Sequence, residues 1–168
     1  MTPDHATFLA NTFVALMERE LPATLKVLRA VPETGRDYRP DDKSRTAWEL
    51  ATHLATADVW FLDSILGGAF IFDKAASDAL EASFSTIADV VAYYAREYPA
   101  RLARVRTASG EDLARPIDFF GVFEQPAAEL LGFANNHGIH HRGQLAAYLR
   151  ACGSAVPAIY GGSADEPM

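Results

Sequence analysis

The chain has 168 residues, 49% of them hydrophobic and 22% charged, which suits one globular unit with a sizeable buried core. A formal charge of −7, from 15 basic against 22 acidic residues with no basic stripe, argues against a nucleic-acid partner, because phosphate binding is driven by clustered Lys and Arg. The single cysteine, Cys152, excludes an internal disulfide framework and fits a reducing compartment, so a cytoplasmic location is expected.

The opening "MTPDHATF" has no basic segment followed by an apolar run, so no signal peptide is expected. Thr2 as N-cap and Pro3 in the first turn start a helix. It carries Phe8, Leu9, Phe13, Leu16, Met17, Leu21, Leu25 and Leu28 at three- and four-residue spacing. Pro22 should kink this helix rather than end it, since the pattern continues beyond. After the loop "VPETGRDYRPDDKSR", the pair Thr46 and Glu49 reads as a capping box. It opens a second helix through His53, Ala57, Trp60 and Phe61 that stops at Gly67-Gly68. The longest charge-free apolar stretch near it, "SILGGAFIF", is far too short to span a membrane.

A third helix is expected from about Ser85 to Ala108, with Ile87, Val91, Tyr94, Tyr98, Leu102 and Val105 on one side and a kink at Pro99. "RPIDFFGVFEQP" reads as an extended or turning connection, with a short hairpin as one form of it. The fourth helix is expected from near Pro126 to Cys152, with an irregular tail over 154–168. Four long helices and no convincing strand pattern predict an all-α four-helix bundle in a single domain, 1–168.

Three of the chain's five histidines fall in "NNHGIHHRGQL". Residues four apart lie about 40° from each other on a helix, so His137 and His141 share one face, and Gln144 continues their stripe. His140 lies about 100° from His141, as a surface or outer residue. Two imidazoles one turn apart can aim at one metal ion, but a third ligand must come from elsewhere. His53 is the candidate: it shares a face with Leu50, Ala57 and Trp60, which marks that face as interior. Hydrogen-bonded core histidines are the competing reading, and the residues alone leave the two evenly matched. Glu49 is accounted for by capping and Cys152 by packing. No Glu-x-x-His, His-Glu-x-x-His, Gly-x-Ser-x-Gly or phosphate-cradling glycine loop occurs. Gly138, beside His137, is read as leaving room for a neighbouring helix or a ligand.

"SRTAWELATHLATADVWFL", "NNHGIHHRGQLAAYLRACG" and "VPAIYGGSADE", in this order and spacing, resemble the DinB superfamily over nearly the whole chain. The resemblance implies a four-helix bundle with up-down-down-up connections and a divalent metal held by three histidines. At matching positions these are His53, His137 and His141. The one departure is Gly162, where relatives commonly have proline. The superfamily's link to DNA damage concerns expression and implies no DNA binding. Some relatives transfer low-molecular-weight thiols to electrophiles or isomerise substrates with a thiol cofactor. Three neutral imidazoles leave coordination positions open to water or a thiol.

The expected protein is therefore a metal-dependent enzyme acting on a small-molecule substrate, with thiol transfer ahead of hydrolysis. A non-catalytic metal-binding or dimerising protein is the alternative. Zinc or nickel is the expected metal, with iron, cobalt and copper also suited to imidazole ligands, and a low-molecular-weight thiol is the expected second cofactor. No membrane partner is expected, and a homodimer is the expected assembly. Gln144 and His140 are placed beside the ligands, with Trp60 and Tyr148 as pocket-lining candidates. "DFFGVF" is expected to form one wall of the pocket mouth. Arg142 is expected to tie the fourth helix to Asp165 or Glu166 in the tail.

Overall fold

The computed structural model describes residues 1–167. In chain order the elements are α1 (Pro3–Arg29), α2 (Ala47–Gly67), the short α3 (Lys74–Ala82), α4 (Ile87–Arg106), the short α5 (Gly110–Ala114), the strands β1 (Pro116–Phe119) and β2 (Phe123–Pro126), and α6 (Ala127–Tyr148). A single turn of 3-10 helix, Glu33–Gly35, lies in the connection between α1 and α2.

Most helix starts are fixed by side chains that satisfy orphaned backbone donors. The Thr2 hydroxyl accepts from the His5 amide at 3.3 Å, with Pro3 in the first turn. Thr46 and Glu49 form the complete capping box read from the sequence, and Gly68 ends α2 in the left-handed conformation, φ 77°. Thr86 and Asp89 form a second box at the start of α4. Both Pro22 and Pro99 lie inside continuous helices.

The four long helices pack as an all-α bundle in the ring order α1, α4, α2, α6, so α1 and α2 face each other across it. Long connections between them make that crossing arrangement attainable. One core, built from residues such as Val14, Leu28, Leu54, Leu62, Tyr94 and Leu131, runs through all four. No helix among the described residues is long and apolar enough to cross a membrane.

Several boundaries differ from the sequence reading. Neither α3 nor α5 was expected. The first is only nine residues long and has no buried residue at all, and the second is five residues long and buries only Leu113, so neither carries the long core-facing pattern of the four main helices. On α4 the buried position is Val90, with Val91 half-buried. The hairpin is formed, with Phe119 paired to Phe123 and a turn in which Phe120 and Gly121 both take positive φ, 53° and 73°. The last helix ends at Tyr148, one turn before Cys152, in a run of turns closed by Gly153 at φ 84°. The Cys152 backbone then lies against Gly35, where a Cβ would come within 2.3 Å of the Cys152 carbonyl oxygen.

Arg142 is the largest correction. It ties α6 to an acid, but that acid is Glu20 on α1, at 2.6 Å. Its guanidinium is buried and also donates to the Glu20 carbonyl, to Thr24 Oγ1 and to the Tyr160 hydroxyl. Tyr160 in turn donates to Glu20 at 2.8 Å. The tail acids are held by other cations: Asp165 by Arg150 and Glu166 by Lys26. Those two pairs are on the surface, whereas removing one partner of a buried pair strands the other charge. We expect Glu20→Gln to lower stability by about 3 kcal/mol and Glu166→Gln by a clearly smaller amount. Chemical denaturation midpoints check both. Equal effects would mean that the Arg142 cluster is no more than a surface pair.

Candidate metal centre

The face geometry of α2 and α6 brings three half-buried imidazoles together. One ligand atom from each of His53, His137 and His141 lies within 4.8 Å of the other two. The Nε2 atoms of His53 and His141 are 3.3 Å apart. A tetrahedral ion with metal–nitrogen bonds of about 2.0–2.1 Å sets its ligand nitrogens about 3.3–3.4 Å apart, so this pair matches one edge of such a site. The rings meet edge to face, with centroids 4.6 Å apart for His53–His141 and 4.3 Å for His137–His141. The donor set and its spacing fit a divalent ion that accepts imidazole ligands.

Each α6 imidazole has a partner behind it. Gln144 Oε1 lies 2.8 Å from His141 Nδ1, so that nitrogen donates and Nε2 keeps its lone pair. Behind His137 is a residue that sequence reasoning missed, Asp58 of α2. Its Oδ1 lies 3.5 Å from His137 Nδ1, and neither atom has another hydrogen-bond partner. Movement of about 0.5 Å would complete a normal hydrogen bond. That is the carboxylate–histidine arrangement that orients metal-binding imidazoles. The other oxygen, Oδ2, accepts from the Tyr94 hydroxyl at 2.9 Å. Gly138 makes this approach possible, because a Cβ there would stand 2.9 Å from Asp58 Oδ2. The room inferred at Gly138 is thus filled by the neighbouring helix. The sequence signal was an acid inside the apolar run "LATADVWFL".

Burial sets the protonation states. It pushes the His53 pKa down to about 3, with the Arg45 charge adding to the effect. It pushes His141 down to about 4, helped by His137 and opposed by the bond to Gln144. Both rings are therefore neutral near pH 7, with lone pairs free to bind an ion without first losing a proton. Burial acts on Asp58 in the opposite sense and raises its pKa.

Beside the centre lies a cavity of about 550 Å³ that includes His53 and His137 in its wall. Trp60 lines it, as expected, together with Ile71, Phe72 and Tyr93. Two expectations for the wall change, those for Tyr148 and for the hairpin. Tyr148 is not in this wall; it packs edge-on against Tyr38, with ring centroids 5.6 Å apart. His140 is exposed and touches the cluster only through His141, centroid to centroid 5.0 Å. The "DFFGVF" hairpin is one layer back, where Phe120 stacks on Trp60 at 6.3 Å. The wall opposite α2 is built by residues from Ile71 through Glu81, including α3.

The model of the DinB family matches residues 4–167, and the chain belongs to that family. Similar solved structures include the DinB-like protein YjoA of Bacillus subtilis, with 24% identity and a TM-score of 0.68 over 86% of this chain and 93% of that one. A DinB-like protein of Bacillus cereus has 23% identity and a TM-score of 0.72 over 88% and 95%. YfiT of Bacillus subtilis has 17% identity and a TM-score of 0.67 over 87% and 89%, and is described as a probable metal-dependent hydrolase with an unusual four-helix bundle topology. At these identities the likeness establishes the fold. No curated protein matches the sequence.

Two outcomes are expected. Metal analysis of the purified protein should find about one divalent ion per chain. His53→Ala, His137→Ala and His141→Ala should each lose it, while His140→Ala keeps it. Asp58→Asn should weaken binding by about 10–100-fold. If His140→Ala loses the ion while His141→Ala keeps it, the grouping above is wrong.

The second outcome concerns pH. Because the folded state disfavours protonated His53 and His141, the unfolded chain binds more protons below its ordinary histidine pKa of about 6.5. Chelator-treated protein should therefore lose stability as pH falls from about 6.5 towards 4. Asp58 acts oppositely, since its raised pKa relieves a burial cost as pH falls. The difference between wild type and His53→Leu isolates the imidazole contribution. Denaturation midpoints at pH 7 and 5 should fall less for His53→Leu, and parallel declines would contradict the assignment.

Proposed function

We propose that this DinB-family chain is a metal-dependent enzyme acting on small molecules. In this reading His53, His137 and His141 hold one divalent ion in the wall of the 550 Å³ cavity. The carrying observation is that three imidazoles come together at one point and that two of them, His53 and His137, line a cavity open to solvent. A closed site with the tail packed over it would have favoured a purely structural or dimerising role. The tail's polar side-chain contacts run instead to Glu20, Lys26, Arg142 and Arg150.

When bound, the ion would supply Lewis-acid activation, bringing the pKa of a small nucleophile towards neutrality. The chain's own residues supply the rest. Gln144 holds the proton of His141 on Nδ1, and Asp58 faces Nδ1 of His137, so both rings present Nε2 to the same point. Tyr94 keeps Asp58 in place. Trp60, Ile71 and Phe72 give the cavity an apolar side, where the body of an electrophilic substrate can shed water.

Transfer of a low-molecular-weight thiol to such an electrophile is the reaction we favour. Imidazole-only sites leave room for a soft sulfur ligand, and this cavity presents aromatic surface next to them. Hydrolysis is the second reading, supported by the description of YfiT.

The test is turnover by metal-loaded protein of a reactive electrophile, with and without a panel of thiols. Thiol-dependent consumption, abolished by chelator and by His53→Ala, is expected. Thiol-independent, chelator-sensitive cleavage of an ester or amide would shift the assignment to hydrolysis. No conversion by metal-replete protein, with no thiol-induced spectral change after cobalt substitution, would overturn both in favour of a non-catalytic role.

A further inference from the structure

Four of the charged groups that line the main cavity, Asp63, Asp73, Lys74 and Asp78, are engaged by ion pairs or by backbone. Asp63 is held by Arg101 and Arg104. Lys74 is paired with Asp78 at 2.6 Å, and the Asp73 carboxylate caps α3 by accepting from the Ala76 amide. Glu49 closes the capping box at the start of α2. Arg45 differs. Among the described residues it forms no salt bridge, and it is the residue just before the Thr46 cap, where the chain enters α2.

Arg45 also lies where two hollows meet. It lines the main cavity, and with Lys43, Ser44, His53 and Glu81 it lines a second, more polar hollow of about 340 Å³. His53 belongs to both walls, so the guanidinium and the metal centre share one space. Its charge reaches both His53 and His141, which agrees with that placement. Glu81 is the acid across the hollow. It makes no salt bridge with Arg45, although the guanidinium's charge partly opposes the burial that raises the Glu81 pKa.

We propose that Arg45 is an anion-recognition residue of this site, selecting small molecules that carry a carboxylate beside the atom that reaches the three histidines. A guanidinium presents several donors in a planar fork that matches a carboxylate, and here it keeps those donors free. The apolar side is formed by Trp60, further along α2 than His53, and by Phe72, which meets the Trp60 ring edge-on. A fitting ligand is therefore amphipathic: an anionic end at Arg45, a metal-binding donor at the centre and an apolar body beyond it. This rests on the metal centre proposed above but not on the thiol-transfer reaction.

The experiment uses cobalt-loaded protein, with the visible spectrum reporting ligand binding, and two matched pairs of probes. The first pair is 3-mercaptopropionate and 3-mercapto-1-propanol; the second is imidazole-4-acetate and 4-methylimidazole. In each pair the charged probe should bind about tenfold more tightly, as one charge-assisted contact at a partly solvated site provides. Arg45→Gln should reduce that preference to about twofold or less, Arg45→Lys should keep part of it, and high salt should shrink it. Arg45 is exposed and outside the core, so these variants should fold normally.

If neither thiol binds but the imidazole pair keeps its Arg45-dependent preference, thiol transfer fails while anion recognition stands. Equal affinities within both pairs would overturn the proposal, as would a preference that survives Arg45→Gln. Failure of all four probes to bind would overturn it too, since a centre closed to ligands leaves Arg45 nothing to select.

Discussion

A carboxylate without water holds this bundle in register. Asp58 is 4% exposed, on a helix whose other buried side chains carry no charge. A buried carboxylate costs several kcal/mol unless its lone pairs are met, so the helices around it must bring donors to it. Tyr94 of α4 meets one oxygen, and His137 of α6 faces the other. Gly138, the next residue of α6, is the only kind of residue that lets the two helices come that close. One side chain of α2 thereby fixes the rotation of α4 and α6, and with it the direction in which His137 points.

α6 carries a buried charge of its own, Arg142, about one turn beyond Gly138. His137 and Gly138 look towards α2, while Arg142 looks towards α1 and Glu20. The guanidinium also favours the ionised form of Asp58, partly opposing the burial that raises its pKa. Two opposite charges buried in one bundle, each with its own partners, define the orientation of α6 more narrowly than its apolar residues do. Leucines and alanines tolerate sliding and small rotations, whereas a stranded charge does not. That the ligand-bearing helix is the one fixed at both levels fits a site needing imidazoles held to within fractions of an ångström.

Much of this was legible in the sequence because the signals were local. Caps at Thr2 and Thr46, the stop at Gly68 and the four-residue spacing of His137 and His141 are chemistry within one turn of helix. The grouping with His53 was legible too, because an imidazole on an apolar face stands out. What escaped was chemistry set by partners far along the chain. Arg142 was expected to meet the nearest acids in sequence, in the tail. It meets Glu20, 122 residues away, because burial selects the acid that α1 brings to that level. Asp58 escaped because its partners, Tyr94 and His137, lie on two other helices. α3 escaped for another reason: its one-sided pattern runs for only nine residues, and none of them is buried in the core.

That last absence bears on how the site works. The side of the cavity formed by α2 is part of the core, so the imidazoles stand on a wall that cannot move without unpacking the bundle. The facing side is α3 and the strand-like approach from Ile71. These are held by the Asp73 cap, the exposed Lys74–Asp78 pair and the bond from Trp60 Nε1 to the Ile71 carbonyl at 3.0 Å. Each such contact is worth about 1 kcal/mol or less, so this wall is the weakest-anchored part of the molecule near the centre. In the proposed reading, rigidity lies where three imidazoles would hold an ion, and adaptability where a small molecule would enter. Ile71 and Phe72, large apolar residues left exposed on the compliant wall, are what such a substrate would cover on entry.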